Sequence, residues 1–249
     1  MNTTFGIGNV LATGFRIWLK NFIPFTLITA LIYVPLWIWG ITSVQGEMTP
    51  DRFTHVVRDL QTVILLTGVL DLFVSAALTY GVVMELQGQR ASVGACIATG
   101  FSRFFPVLGV VLLSTLCAGG ATLLLIIPGV IVFCMLYVAT PTAVLERPGV
   151  MGALGRSREL TRGHRLEIFG LVLILALLGF GLRMVVQTMT LDPRHLDATL
   201  HNAPAYVFIT LFEQMVVNSI GAVMASVAYY FLRAEKEGVS AAELAAVFD

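Results

Sequence analysis

The chain has 249 residues, 57% of them hydrophobic and 12% charged, and its formal net charge is zero. A soluble domain carries about 25% charged residues, so this composition, with a mean hydropathy of +0.87, excludes a soluble globular protein and indicates an integral membrane one. Zero net charge gives no reason to expect nucleic acid or another bulk polyanion as partner.

Residues 7–20 carry Ile7, Val10, Leu11, Gly14 and Trp18 at helical spacing, with Arg16 and Lys20 off that face. This predicts a surface helix leading into a first span over 22–41, with Pro24 in the first turns, where a missing N–H costs little. Residues 43–59 are polar and read as a loop. A second span over 60–86 contains Asp71, and Glu85 stands near its end. Residues 91–103 predict a second surface helix with Val93, Ile97, Gly100, Phe101 and Phe104 on one face. Spans over 104–127 and 130–145 follow, separated only by Pro128-Gly129. Two full spans or a re-entrant pair both fit, because non-helical backbone is tolerated at depth when protein covers it.

A second Pro-Gly, Pro148-Gly149, restarts the chain into a helix over 149–163. At 100° per residue, Val150, Ala153, Leu154, Ser157, Leu160 and Thr161 share one arc, and Arg156, Arg158, Glu159 and Arg162 the other. Such a split predicts a helix lying on the membrane, its arginines toward lipid headgroups. The fifth span covers 168–189 with Arg183, and the sixth 206–232 with Glu213. Between them Asp192-Pro193 is a helix-start signal. In the tail, Ser240 and Glu243 form a capping box. Cys96, Cys117 and Cys134 have no CxxC spacing and read as apolar fillers or free thiols, not as disulfides or metal ligands. No secretory signal is evident, since the first apolar run follows a patterned segment.

The segments before, between and after the hairpins hold eleven Lys and Arg residues, against four at most on the other side. The positive-inside rule then places both termini and all three surface helices in the cytoplasm. ATGFR at 12–16 resembles ATGFSR at 98–103, suggesting a surface helix plus two-span hairpin used three times. The predicted fold is therefore all-α: a single membrane domain over 1–249 with six transmembrane helices in three hairpins. An amphipathic cytoplasmic helix precedes each hairpin.

Pro128, Gly129, Pro141, Glu146, Ala153, Leu154, Ser157, Leu160 and Gly163 follow the pattern PG, P, E, A-L-x-x-S-x-x-L-x-x-G. In this the chain resembles a bacterial family of six-span membrane domains. These occur alone or fused to some glycerophosphodiester phosphodiesterases, and include the YciC-like inner-membrane proteins. The resemblance implies the bacterial inner membrane and no hydrolase activity, because the catalytic barrel of the fused proteins is a separate soluble domain.

Candidate functional residues fall into three groups. Asp71, Arg183 and Glu213 lie within spans, where a charge costs at least a few kcal/mol unless paired or wet. They form either a polar site for a proton, ion or headgroup, or an Arg183–Glu213 ion pair plus a neutral or water-facing Asp71. The pair is expected from depth: each residue lies roughly 9–10 Å below the outer surface at 1.5 Å rise per residue. Arg156, Arg158, Arg162 and Arg165 either bind anionic headgroups or only fix topology. His195 and His201 with Asp192 and Asp197 match no metal-ligand spacing, and His164 reads as a solvated side chain among arginines. Ser157 reads as a small residue for close helix packing.

There is no HExxH, GxSxG, Asp-Asp pair or CxxC, so neither enzyme activity, metal nor cofactor is expected. The leading expectation is a non-enzymatic inner-membrane protein engaging membrane lipid, anionic lipid included, or another membrane protein, in envelope maintenance. The alternative is a transporter of small molecules or lipid using the intramembrane charges. An intramembrane enzyme ranks third, with Asp71 and Glu213 as its only acids.

Overall fold

The computed structural model describes residues 5–43, 50–89, 92–190 and 203–238. The described residues are all-helical, without strands: α1 (Ile7–Lys20), α2 (Phe22–Ser43), α3 (Pro50–Leu86), α4 (Val93–Ser102), α5 (Phe104–Leu124), α6 (Ile126–Leu136), α7 (Ala139–Leu145), α8 (Gly149–Leu160), α9 (Arg165–Thr190) and α10 (Ala203–Glu237). Six segments are long and apolar enough to cross a membrane: Phe22–Trp39, Leu65–Leu86, Phe104–Leu124, Ile126–Leu145, Arg165–Thr188 and Phe208–Glu237. The chain is a multi-pass membrane protein. In α10 and α3, 56% and 50% of the span is buried, against 11% in α5 and α9. The first two therefore form the centre, and the last two turn most of their surface to lipid.

Three boundaries differ from expectation. Residues 50–59, expected as loop, begin α3. Pro128-Gly129 does not separate two helices. The break is the single extended residue Leu125, and Pro128 and Gly129 lie in the first turn of α6, where proline's missing N–H is not needed. A Cβ on Gly129 would fall 2.8 Å from the Thr122 Cα, so glycine is what lets α6 fold back against α5. The fourth span is itself broken. Pro141 cannot donate to the Tyr137 carbonyl, and the helix opens at Tyr137 and Val138 before resuming as α7. Val110 of α5 clusters with Ala139 and Ala143 of α7 and Ala153 of α8. At 21 residues, α5 is roughly 31 Å long, a full crossing. Leu123 to Ile127, at its junction with α6, are exposed.

The short helices pack on the bundle. α1 buries Val10, Gly14 and Ile17, with Gly14 directly against the Met224 side chain of α10 and Trp18 Nε1 donating to Ser219 Oγ at 2.9 Å. α4 opens with Ser92, whose hydroxyl accepts from the Ala95 N–H at 3.1 Å. It buries Cys96 and Gly100, while Phe101, expected on the buried face, is exposed. Gly14 and Gly100 occupy the same place in the two ATGF segments, and both sit at close helix contacts. α8 buries the predicted arc of Ala153, Ser157, Leu160 and Thr161. That arc packs on protein, with Val150 and Leu154 against the α5–α7 cluster. The Asp192-Pro193 signal, His195, His201 and the Ser240–Glu243 box lie outside the described residues.

Candidate functional site

Asp71, on α3, is the centre of a hydrogen-bonded cluster that joins three spans. Its Oδ1 accepts from the Tyr33 hydroxyl of α2 and from Asn218 Nδ2 of α10 at 2.6 Å. Asn218 Nδ2 also lies 3.3 Å from the Tyr33 oxygen, and Gln214, one turn earlier, reaches Asn218 Oδ1 at 3.4 Å. Tyr33 is fully buried. It stands six residues before Trp39, and Asp71 stands six after Leu65, so each lies roughly 9 Å inside its span. The Trp37 and Phe208 rings, 5.2 Å apart, mark that shared end of the bundle. Both bonds to Asp71 go to Oδ1, and no hydrogen bond to Oδ2 exists among the described residues.

Asp71 and Asn218 open onto a cavity of about 630 Å³. Its remaining wall comes from Phe15 of α1, Tyr137 and Thr140 at the α6–α7 break, the Val172–Leu182 stretch of α9 and the Val217–Ala225 stretch of α10. Two sequence features create the space. Small residues, Ala176 and Gly179 on α9 and Gly221, Ala222 and Ala225 on α10, leave little side chain between those helices. The Pro141 break leaves the Tyr137 hydroxyl buried and without a partner. The wall is mostly apolar, with a few polar groups, the usual make-up of a small-molecule site.

The family model described as "Domain of unknown function (DUF7847)" matches residues 19–233. The chain belongs to the DUF7847 family. No curated protein and no solved structure matches it. The DUF7847 match spans every residue of the Asp71 cluster and most of a second polar cluster at the opposite end of the bundle.

That second cluster is built on the Glu of the PG–P–E motif. Glu146, at the end of α7, accepts from the Tyr229 hydroxyl at 2.6 Å and from Arg156 Nε at 2.9 Å. Arg156 also pairs with Glu237, which takes a further bond from Arg233 Nε at 2.8 Å. Arg233 Nη1 donates to the Tyr229 oxygen at 3.2 Å. α7, α8 and α10 are thus tied by one network. Ser157 does more than permit close packing: its Oγ donates to the Met135 carbonyl at 2.8 Å, and Thr161 approaches the same carbonyl at 3.3 Å. The Ser157 hydroxyl satisfies backbone beside the Pro141 break, while Thr161 Oγ1, whose nearer acceptor is the Ser157 carbonyl at 2.9 Å, stands by as a second donor. Gly163, with φ of 98°, makes the left-handed turn between α8 and α9 that a side chain would disfavour.

The four candidate headgroup arginines separate. Arg156 is engaged in the network, Arg158 and Arg162 are exposed, and Arg165 is half-buried with its Nε unpartnered. His164 bridges Glu167 and Glu235 at 2.7 and 3.2 Å, so it is not a free solvated side chain. Glu85 is paired with Lys20. Outside the spans, burial and then the neighbouring Arg147 lower the Arg103 pKa from its ordinary value, and burial pushes the Cys96 thiol up to about 11.

The expected Arg183–Glu213 ion pair is not formed. No salt bridge within 4.0 Å joins them among the described residues, and Arg183 is exposed while Glu213 is 6% exposed. Their depths do correspond. A Cβ on Gly179 of α9 would lie 3.3 Å from the Val217 side chain of α10, and Arg183 and Glu213 lie one turn further along each helix. Sequence reasoning singled out Asp71 but missed Tyr33, Tyr137 and Asn218. A mid-span Asn one turn from Gln214 was the available signal.

Proposed function

We propose that this is a non-enzymatic membrane protein that takes a lipid or lipid-soluble molecule into the cavity between α9 and α10. The observation that carries the reading is that cavity. It is drug-sized and mostly apolar, and its wall includes Asp71, whose Oδ2 accepts no hydrogen bond among the described residues. A buried polar group without a partner is costly, and a guest supplying one relieves that cost. The exposed Arg158 and Arg162 support contact with anionic headgroups at the far end of the bundle. The resemblance of the Pro128–Gly163 pattern to the six-span inner-membrane family supports a bacterial inner-membrane location and a role in envelope maintenance. The basic-residue asymmetry supports three hairpins with both termini cytoplasmic. Reporter fusions test that topology: positions 89 and 158 should read cytoplasmic, and 45 and 197 periplasmic.

Gly221→Leu tests the cavity reading. An added Cβ there meets nothing within 4 Å, and Gly221 lines the cavity, so a larger side chain takes up cavity space. Native mass spectrometry should find a co-purifying guest on the wild type and little on Gly221→Leu. An identical retained set on both refutes the reading. Transport is the second reading, favoured by an acid placed within the membrane. It requires uptake or efflux into vesicles that Asp71→Asn abolishes.

A further inference from the structure

We infer that the guest of the α9–α10 cavity is a lipophilic cation: an amine or onium group on an apolar body. This rests on the reading of the cavity as a binding site and names the chemistry of its occupant. Asp71 is the single residue of the described lining that can carry a charge at neutral pH. Its Oδ1 is occupied by Tyr33 and Asn218, so Oδ2 is the acceptor left for a guest. An anion would meet like charge there, whereas a neutral apolar molecule would leave the carboxylate uncompensated in a low-dielectric site. Two basic residues are next to the lining in sequence, Arg16 beside Phe15 and Arg183 beside Leu182, and both are exposed.

Two further features fit the same class. Phe15 and Tyr137 contribute aromatic side chains to the wall, and aromatic faces attract cations, organic ammonium groups included. The rest of the lining is chiefly Val, Leu, Ile, Ala and Gly, which suits an apolar body of drug size. The cavity volume of about 630 Å³ lies inside the range of roughly 300–1,000 Å³ usual for such sites.

The test uses tetraphenylphosphonium and tetraphenylborate, ions of matched shape and opposite charge. Binding of each to the purified full chain is measured by equilibrium dialysis, with Gly221→Leu as the filled-cavity reference. The wild type should hold the phosphonium at least about tenfold more tightly than the borate, a difference of about 1.4 kcal/mol. Asp71→Asn, which keeps size and hydrogen-bonding shape, should erase that preference. The wild-type comparison needs no variant, so a poorly folding Asp71→Asn leaves the inference testable. Equal or tighter borate binding overturns it, as does a cation preference that survives Asp71→Asn. Phosphonium binding no stronger than in Gly221→Leu overturns it too. If both ions bind equally and both are lost in Gly221→Leu, the cavity remains a binding site and only the cation assignment fails.

Discussion

Replacing Glu146 tests whether the network joining α7, α8 and α10 fixes that end of the bundle. The carboxylate is 17% exposed and carries two short bonds, 2.6 Å from Tyr229 and 2.9 Å from Arg156, with Arg233 Nε a further 3.9 Å away. Hydrogen bonds to a charged group contribute about 1.5–3 kcal/mol each. Arg156 is 26% exposed and keeps Glu237, so solvent and the second acid reduce its share toward the lower end. Glu146→Gln retains an acceptor for Tyr229 and should cost about 1–2 kcal/mol, while Glu146→Ala should cost about 3 kcal/mol. Equilibrium unfolding in mixed micelles measures both. A double-mutant cycle with Arg156→Gln should show a coupling of about 1 kcal/mol. If both Glu146 variants unfold with wild-type stability, or the cycle shows no coupling, the network does not hold the helices together.

Ser157→Ala should cost about 1 kcal/mol, and Ser157→Ala with Thr161→Val more than the sum of the two. Only the double change leaves the Met135 carbonyl without either hydroxyl; simple additivity in unfolding measurements would contradict the shared-acceptor geometry. Glu213→Leu should raise stability by about 1 kcal/mol, because a buried carboxylate with no hydrogen bond or ion pair within 4.0 Å among the described residues is replaced by an apolar group. Arg183→Leu, at an exposed position, should stay within about 0.5 kcal/mol of wild type. Losses in both single variants that the double variant recovers would restore the ion pair.

The spans were legible because membrane crossing demands about 20 apolar residues, and hydropathy reports that demand directly. The buried arc of α8 was legible from periodicity: Ala153, Ser157 and Leu160 point inward as spaced. Depth along a helix can also be counted, which is why Arg183 and Glu213 correspond in height. Rotation of one helix against another depends on packing. Small residues such as Gly179 set it, and charge pattern does not reveal it. The surface-helix reading of the arginines met a similar limit, since Arg156 found Glu146 and Glu237 from elements distant in sequence. Tyr33, Tyr137 and Asn218 were missed because attention in the spans went to charged side chains, and a tyrosine hydroxyl or a carboxamide carries no charge. Only the fold brings the first and last of them to Asp71 and strands the hydroxyl of the second beside the Pro141 break.

A structure determined in lipid nanodiscs shows whether the cavity between α9 and α10 is occupied. A guest is expected between the two helices, with a polar or cationic group within hydrogen-bond reach of Asp71 Oδ2 and an apolar body along Leu175, Gly221 and Ala225. Closure of α9 onto α10, with no space beside Asp71 and no guest, would contradict it.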